Sequence, residues 1–189
     1  MSASTPVSSD RAVRIKRALL EMVAEEGFGA SMASVARRAS VATGTAYVHF
    51  RSKDELVLAT YLDAKEAMSD AAVADINPEA PPRERFLKLW RNVFEFLAAD
   101  PAVPRFLVQV DASPFADAAF AAASSRETRL TQQASAPDLA GLLIPLPQRL
   151  IYDLTLGVAV RLAAGGRTLE EAEKESVARA CWRAVTNGD

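Results

Sequence analysis

With 189 residues, half of them hydrophobic, and a single cysteine, the chain can bury a core of its own and has no intrachain disulfide to lean on. Charges interrupt every apolar run before the roughly 20 residues a membrane span needs. One histidine and one cysteine leave too little material for a Cys- or His-based nucleophile or for most metal sites, so neither an enzyme nor a metal or cofactor is expected.

A net charge of −2 argues against a polyanion covering the whole surface, but the charge is unevenly placed. Residues 1–53 carry eight basic and four acidic side chains, net +4, and the remainder carries fourteen and twenty, net −6. A basic head on an acidic body suits a protein that brings one end to phosphates.

The opening "MSASTPVSSD", residues 1–10, is polar and has no apolar stretch, so it reads as a disordered tail and not as a secretion signal. The lone Cys181 fits a reducing compartment, and a cytoplasmic location is expected. Ile15, Ala18, Leu19, Met22 and Val23 form the stripe of a first helix that Gly27 closes. Ser31 caps a second helix, whose buried side is Met32, Val35, Ala36 and Ala39. After a turn at Ser40 and Val41, a third runs from Thr43 to His49, with Tyr47 and Phe50 as its large hydrophobes. Ser52 and Glu55 form a capping box that opens a long fourth helix reaching about Asp75.

The loop "INPEAPP" breaks the pattern, and a helix over 83–99 follows with apolar residues on most of its circumference, which places it centrally. Helices are expected over 102–111 and 115–133, and a loop over 134–147, where three prolines fall. One helix is expected over 148–164, closed by Gly165 and Gly166, and a last one behind a second capping box at Thr168 and Glu171. About nine helices and no strand make an all-α fold: a tail over 1–10, a helix-turn-helix head over 11–53 and a helical body over 54–189.

Two short helices joined by a tight turn and resting on a longer one make a helix-turn-helix whose second member can enter a DNA major groove. Thr43 and Gly44, small residues at its start, let the backbone approach base edges; Ser31, Thr45, Tyr47, His49 and Lys53 are placed to contact phosphates. The stretch "GFGASMASVARRASVATGTAYVHFRSKDEL" resembles the DNA-binding head of the TetR family of bacterial transcriptional regulators. The resemblance rests on Gly27-Phe28, Val35-Ala36, Val41, Gly44-Thr45-x-Tyr47-x-x-Phe50 and Ser52-Lys53-x-x-Leu56, and it covers about residues 12–60. The chain departs from the family pattern at Ser40, usually glycine, at Ala42-Thr43, often Ser-Lys, and at Ala46, usually leucine. The resemblance implies a variable ligand-binding and dimerisation domain after the head.

In that body, Leu150, Leu154, Gly157, Val158, Leu162, Val177, Cys181 and Val185 offer an apolar face on the last two helices, which predicts a homodimer built on a four-helix interface. Trp90, Phe94, Phe106, Phe120 and Tyr152, with Gln109, Asp111 and Thr155 as polar handles, predict a mostly apolar pocket for a small effector. The function expected is a repressor that binds a pseudo-palindromic duplex as a dimer and is released by that effector. The alternative is a helical small-molecule-binding protein without DNA function.

Overall fold

In the computed structural model, which describes residues 6–187, the first helix, α1, runs Pro6–Glu26. It starts inside the segment expected to be a tail, whose first five residues lie outside the described part. Its stripe of Ile15, Leu19 and Val23 is fully buried, and Gly27 ends it at φ 75°, a left-handed conformation that costs glycine nothing. A 3₁₀ turn, Gly27–Gly29, leads to Ser31. The Ser31 hydroxyl accepts from the Ser34 N–H at 3.1 Å, while the Ser31 N–H donates to Ser34 Oγ at 2.9 Å, and this reciprocal cap starts α2, Met32–Arg38.

The turn into α3, Thr43–His49, passes through Ser40 at φ 55°, so the serine does occupy the left-handed position where glycine carries no steric cost. Arg14 steadies that turn by donating to the Ala39 carbonyl at 3.1 Å. Ala46, 0% exposed, is the contact of α3 with the helices behind it. Ser52 caps α4, Lys53–Ala72, by accepting from the Glu55 N–H. The expected capping box is only half formed, because the Glu55 carboxylate accepts from the Arg51 N–H instead. The helix stops short of Asp75, which sits at φ 53°.

Helix α5, Pro82–Ala99, is central as its composition required: it packs against α4 and two later helices, with Trp90, Val93 and Leu97 fully buried. Helix α6, Ala102–Asp111, lies on α1 and couples head to body through one continuous core.

The described residues hold twelve α-helices where about nine were expected. The stretch 115–133 divides into α7, Ala116–Ser124, and α8, Arg129–Ala134, because Thr128 leaves the helix to cap α8. The proline-bearing loop holds one short turn, α9, Pro137–Ala140, tied down by an ion pair between Asp138 and the buried Arg85. The single helix expected over 148–164 breaks at Thr155, φ −121° and ψ −91°, into α10, Gln148–Leu154, and α11, Leu156–Ala164. The carbonyls freed by the break are caught by side chains: Arg161 donates to Asp153 O at 2.8 Å, and the Trp90 indole to Thr155 O at 3.3 Å. The last helix, α12, Glu171–Val185, is capped by Glu170 and Glu173, not by Thr168 and Glu171.

Candidate nucleic-acid interface and effector cavity

On α3, Thr43, Gly44, Tyr47 and Val48 share one outward face, as their spacing of three and four residues requires. A Cβ built on Gly44 would meet nothing within 4 Å, so no contact inside the molecule demands a glycine there. Tyr47 is 50% exposed and Val48 84% exposed. Val48 was missed because valine reads as a core residue by composition; its place one turn after Gly44 was the available signal. Thr45 and His49 are half-buried at the edge of this face, and Ser31 is exposed at the start of α2.

Lys53 is engaged within the head: its ammonium donates to the Phe28 carbonyl and lies 6.0 Å from the Phe28 ring centre. Arg38 is likewise committed, with Nη1 and Nη2 donating to the two Glu25 carboxylate oxygens at 2.6 and 2.7 Å and Nε to Glu21 at 3.1 Å. That grip holds the Glu25 carboxyl below its ordinary range. Arg37, next to it, is exposed.

Three links tie this head to the body. Lys16 pairs with Asp63, Arg17 pairs with Asp100, and the Phe28 and Phe115 rings lie 5.5 Å apart. Helix α4 itself runs from Lys53 under the head to Lys65, Met68 and Ser69, which form one wall of a cavity in the body.

That cavity has two lobes, of about 100 and 170 Å³, which share Leu130, Thr131, Gln148, Tyr152 and Leu156. Of the eight residues expected at a pocket, Phe120, Tyr152 and Thr155 line it, and Asp111 lies outside both lobes beside Arg149. The other four do not converge. Trp90 stacks on Phe94 in the core, rings 5.7 Å apart and 3° from parallel, and reaches the cavity only through its bond to the Thr155 carbonyl. Phe94 borders a separate surface dent beside Ala163 and Leu169, and Phe106 is fully buried on α6. Gln109 is exposed and faces the Gly27 turn. Aromatic content alone could not say which side of α5 and α6 each ring faces.

Sequence reasoning named Asp111 but missed Lys65 and Arg149, which carry the electrostatics of the cavity's polar end. Lys65 lies over the Tyr152 ring at 3.8 Å and the Tyr61 ring at 6.0 Å, and burial pushes its ammonium down to about 7. Arg149 lies over Phe120 at 4.6 Å and pairs with Asp153 at 3.4 Å and Asp111 at 4.0 Å. Burial raises the Asp111 carboxyl and the Tyr61 and Tyr152 phenols above their ordinary values. Both phenol oxygens are buried with no hydrogen-bond partner in the protein. The signal was there: Lys65 stands four residues after Tyr61 and three before Met68, on the buried stripe of α4.

The expected dimer face separates into two sets. Leu150 and Leu154 are 46% and 40% exposed, and Val158, Leu162 and Val177 are half-buried. Leu154, Val158, Val177 and Ala180 border an open apolar groove between α10–α11 and α12 with Cys181 at its floor. Cys181 and Val185 are turned into the subunit's own core, and burial pushes the Cys181 thiol up to about 11. Gly157 is buried too: an added Cβ would stand 3.1 Å from Tyr152 O and 3.2 Å from Arg161 Nη1, so this glycine serves the α10–α11 break inside the chain.

Among the described residues no helix is long and apolar enough to cross a membrane, and no cluster of His, Cys, Asp and Glu could hold a metal ion.

Residues 15–60 match the family of bacterial regulatory proteins, tetR family, and residues 81–186 match the tetracyclin repressor-like, C-terminal domain. An uncharacterized HTH-type transcriptional regulator of Haemophilus influenzae is 31% identical over 94% of this chain and 96% of its own length. The fatty acid metabolism regulator protein of Bacillus subtilis is 28% identical over 47% of this chain and 46% of its own. Among solved structures, a TetR-family transcriptional regulator from Haemophilus influenzae superposes with a TM-score of 0.76 at 28% identity, covering 97% of this chain and 100% of its own. A second, from Marinobacter aquaeolei, gives 0.75 at 21% identity over 95% and 97%, a likeness of fold.

Proposed function

The chain belongs to the TetR family of bacterial regulatory proteins, and on that premise we propose that it is a dimeric repressor that leaves its operator when a small effector fills the body cavity. The observation that carries this reading is α4: one unbroken helix joins Lys53 beneath the recognition surface to Lys65, Met68 and Ser69 on the cavity wall. Neither lobe reaches the ~300 Å³ at which small-molecule pockets begin, so a ligand must part α4 from α7 and α8 to enter. The bond from the Leu130 N–H to Ser69 Oγ, 3.1 Å, ties α8 to α4 at that point and transmits the movement. A displaced α4 turns the heads and changes the spacing of the two α3 helices across the dimer axis.

In this reading Thr43, Gly44 and Val48 meet base edges, Thr methyl and Val side chains suiting thymine methyls. Ser31, Thr45, Tyr47 and His49 position the backbone, and Lys53 does so after giving up its Phe28 bond. The open strip of Leu150, Leu154, Val158, Leu162, Val177 and Ala180 packs against its two-fold mate, and its openness supports a dimer; duplex DNA and a small molecule are the other partners in this reading, and the cytoplasm its location.

The test joins three measurements. Light scattering should give about twice the 20.3 kDa chain mass. Binding to the duplex upstream of the protein's own reading frame should weaken steeply with salt, because phosphate contacts release counterions. A compound that stabilises the protein in a thermal-shift screen should bind about 5- to 150-fold more weakly with that duplex present, the reciprocal of its effect on DNA. A monomer that shifts no duplex refutes the reading, and equal affinity for the compound in both titrations refutes the switch.

A further inference from the structure

Lys65 is a cation on the cavity wall that no carboxylate answers. Its ammonium faces the cavity over the Tyr152 ring and has neither a hydrogen bond nor an ion pair among the described residues. The nearby carboxylates lie outside the lining of both lobes: Asp153 pairs with Arg149 at 3.4 Å, and Asp111, 4.0 Å from Arg149, keeps one buried oxygen without a hydrogen bond. Beside Lys65, the Tyr152 hydroxyl is buried without a partner, a second donor left unused. From this end the wall turns apolar, through Met68, Phe120, Leu130 and Leu156.

We propose that the effector is an anionic amphiphile, a molecule with one carboxylate on an apolar body, and that Lys65 and the Tyr152 hydroxyl bind its acid group. This rests on the effector reading above and names its chemistry. A neutral apolar ligand would fill the walls but leave the ammonium and the phenol buried and unpaired, a cost the site would carry in full. A cationic ligand would look for aromatic faces and carboxylates, but Lys65 and Arg149 occupy the faces of Tyr152 and Phe120, and no carboxylate lines either lobe. An anion accepts from both lining donors and also meets the ammonium with an opposite charge.

The same residue makes binding depend on pH. The groups facing Lys65 are Tyr61 on its own helix, Asp111 on α6, and Arg149, Tyr152 and Asp153 on α10, with Arg161 on α11 behind Asp111; α7 and α8 present no titratable side chain to this wall. In the empty cavity the ammonium loses its proton through about 7, and a bound carboxylate restores it, so affinity for the anion falls as pH rises past 7.

The experiment titrates the full-length protein calorimetrically with octanoate, octanol and octyltrimethylammonium at about pH 6 and about pH 8. Octanoate should bind best, and about tenfold more weakly at the higher pH, the ratio set by one group titrating near 7. Lys65→Met, which replaces a poorly solvated ammonium and should not lower the melting temperature, should weaken octanoate at least tenfold at the lower pH, abolish its pH dependence and leave octanol unchanged. Tyr152→Phe keeps the ring under Lys65 and should weaken octanoate a few-fold. Octanol or octyltrimethylammonium binding as tightly as octanoate, octanoate indifferent to Lys65→Met, or no octanoate binding at millimolar concentration overturns the proposal. Octanoate held through Lys65 that leaves DNA affinity unchanged would spare it and overturn the switching mechanism instead.

Discussion

The head and the body of this protein present function in opposite ways. In the head, the side chains aimed outward lie on two seven-residue helices, α2 and α3, and owe their positions to a capped start, a left-handed turn and a small buried set, Met32, Val35, Ala36 and Ala46. In the body, the cavity draws Lys65 from α4, Phe120 from α7, Leu130 from α8 and Tyr152 from α10, residues spread over almost ninety positions of the chain. A surface that meets its partner from outside needs only local geometry and open space. A cavity that encloses its partner needs long-range packing, and its polar groups take on shifted acidities because they are buried.

The largest expected effect tests how far the two regions share one core. Trp90 is fully buried on α5, stacks on Phe94 and holds the Thr155 carbonyl at the α10–α11 break. Trp90→Ala should lower unfolding stability by about 3–5 kcal/mol, read from the urea midpoint. DNA affinity per folded dimer, measured well below the melting midpoint, should not change, since no residue of the α3 face touches this core. A parallel loss of intrinsic DNA affinity would mean that the head has no autonomy from the body.

The next effect goes the other way, sparing the fold and removing function. Because a Cβ at Gly44 meets nothing within 4 Å, Gly44→Ala should stabilise α3, by about 0.5–1 kcal/mol from helix propensity alone. Gly44→Leu should fold equally well yet bind DNA about tenfold to a hundredfold more weakly, the cost of one base contact at about 1–3 kcal/mol. Mobility shift beside thermal melting separates the two outcomes. A Gly44→Leu protein that melts early would place the glycine's role inside the head and not at its surface.

The same contrast explains what could be read from the sequence. The head was legible because its determinants are local: Ser31, Gly27 and the apolar stripe of α1 each act over a single helical turn, and α2 and α3 begin at the residues their patterns indicate. The number and breaks of the body helices were less so. Thr155 interrupts a run with ordinary helix propensity, and what stabilises the break is the Trp90 indole, sixty-five positions earlier, together with Arg161. In the cavity, Phe120 and Tyr152 could be picked out as aromatic, but Phe94, Phe106 and Gln109 turn to other faces, and Lys65 hid as one more charge on a long helix. At the dimer face, Leu150 and Leu154 stay outside while Val185 turns inward, a distinction that depends on where α5 sits and not on hydrophobicity.

The smallest effect concerns the joint between the two regions. Arg17 on α1 pairs with Asp100, at the corner between α5 and α6, and the Ala102 N–H also donates to this carboxylate at 3.2 Å. The Arg17 bond, aided by that N–H, holds the Asp100 carboxyl below its ordinary 3.8. A carboxyl depressed in the folded state adds stability that is complete above its unfolded value and is lost as pH falls through the lower folded value, so the contribution begins to fade near pH 4 and is gone only in stronger acid. Both partners are more than a third exposed, at 47% and 37%, so solvent screening keeps the contribution under about 1 kcal/mol. Asp100→Asn should therefore lower the melting temperature by only a few degrees at neutral pH, and the difference from the parent should vanish in acid. If the pair also sets how the head sits on the body, Asp100→Asn will change operator affinity while leaving octanoate binding at Lys65 untouched; if both stay constant, α4 alone carries the coupling and the Arg17–Asp100 pair is only a surface tie.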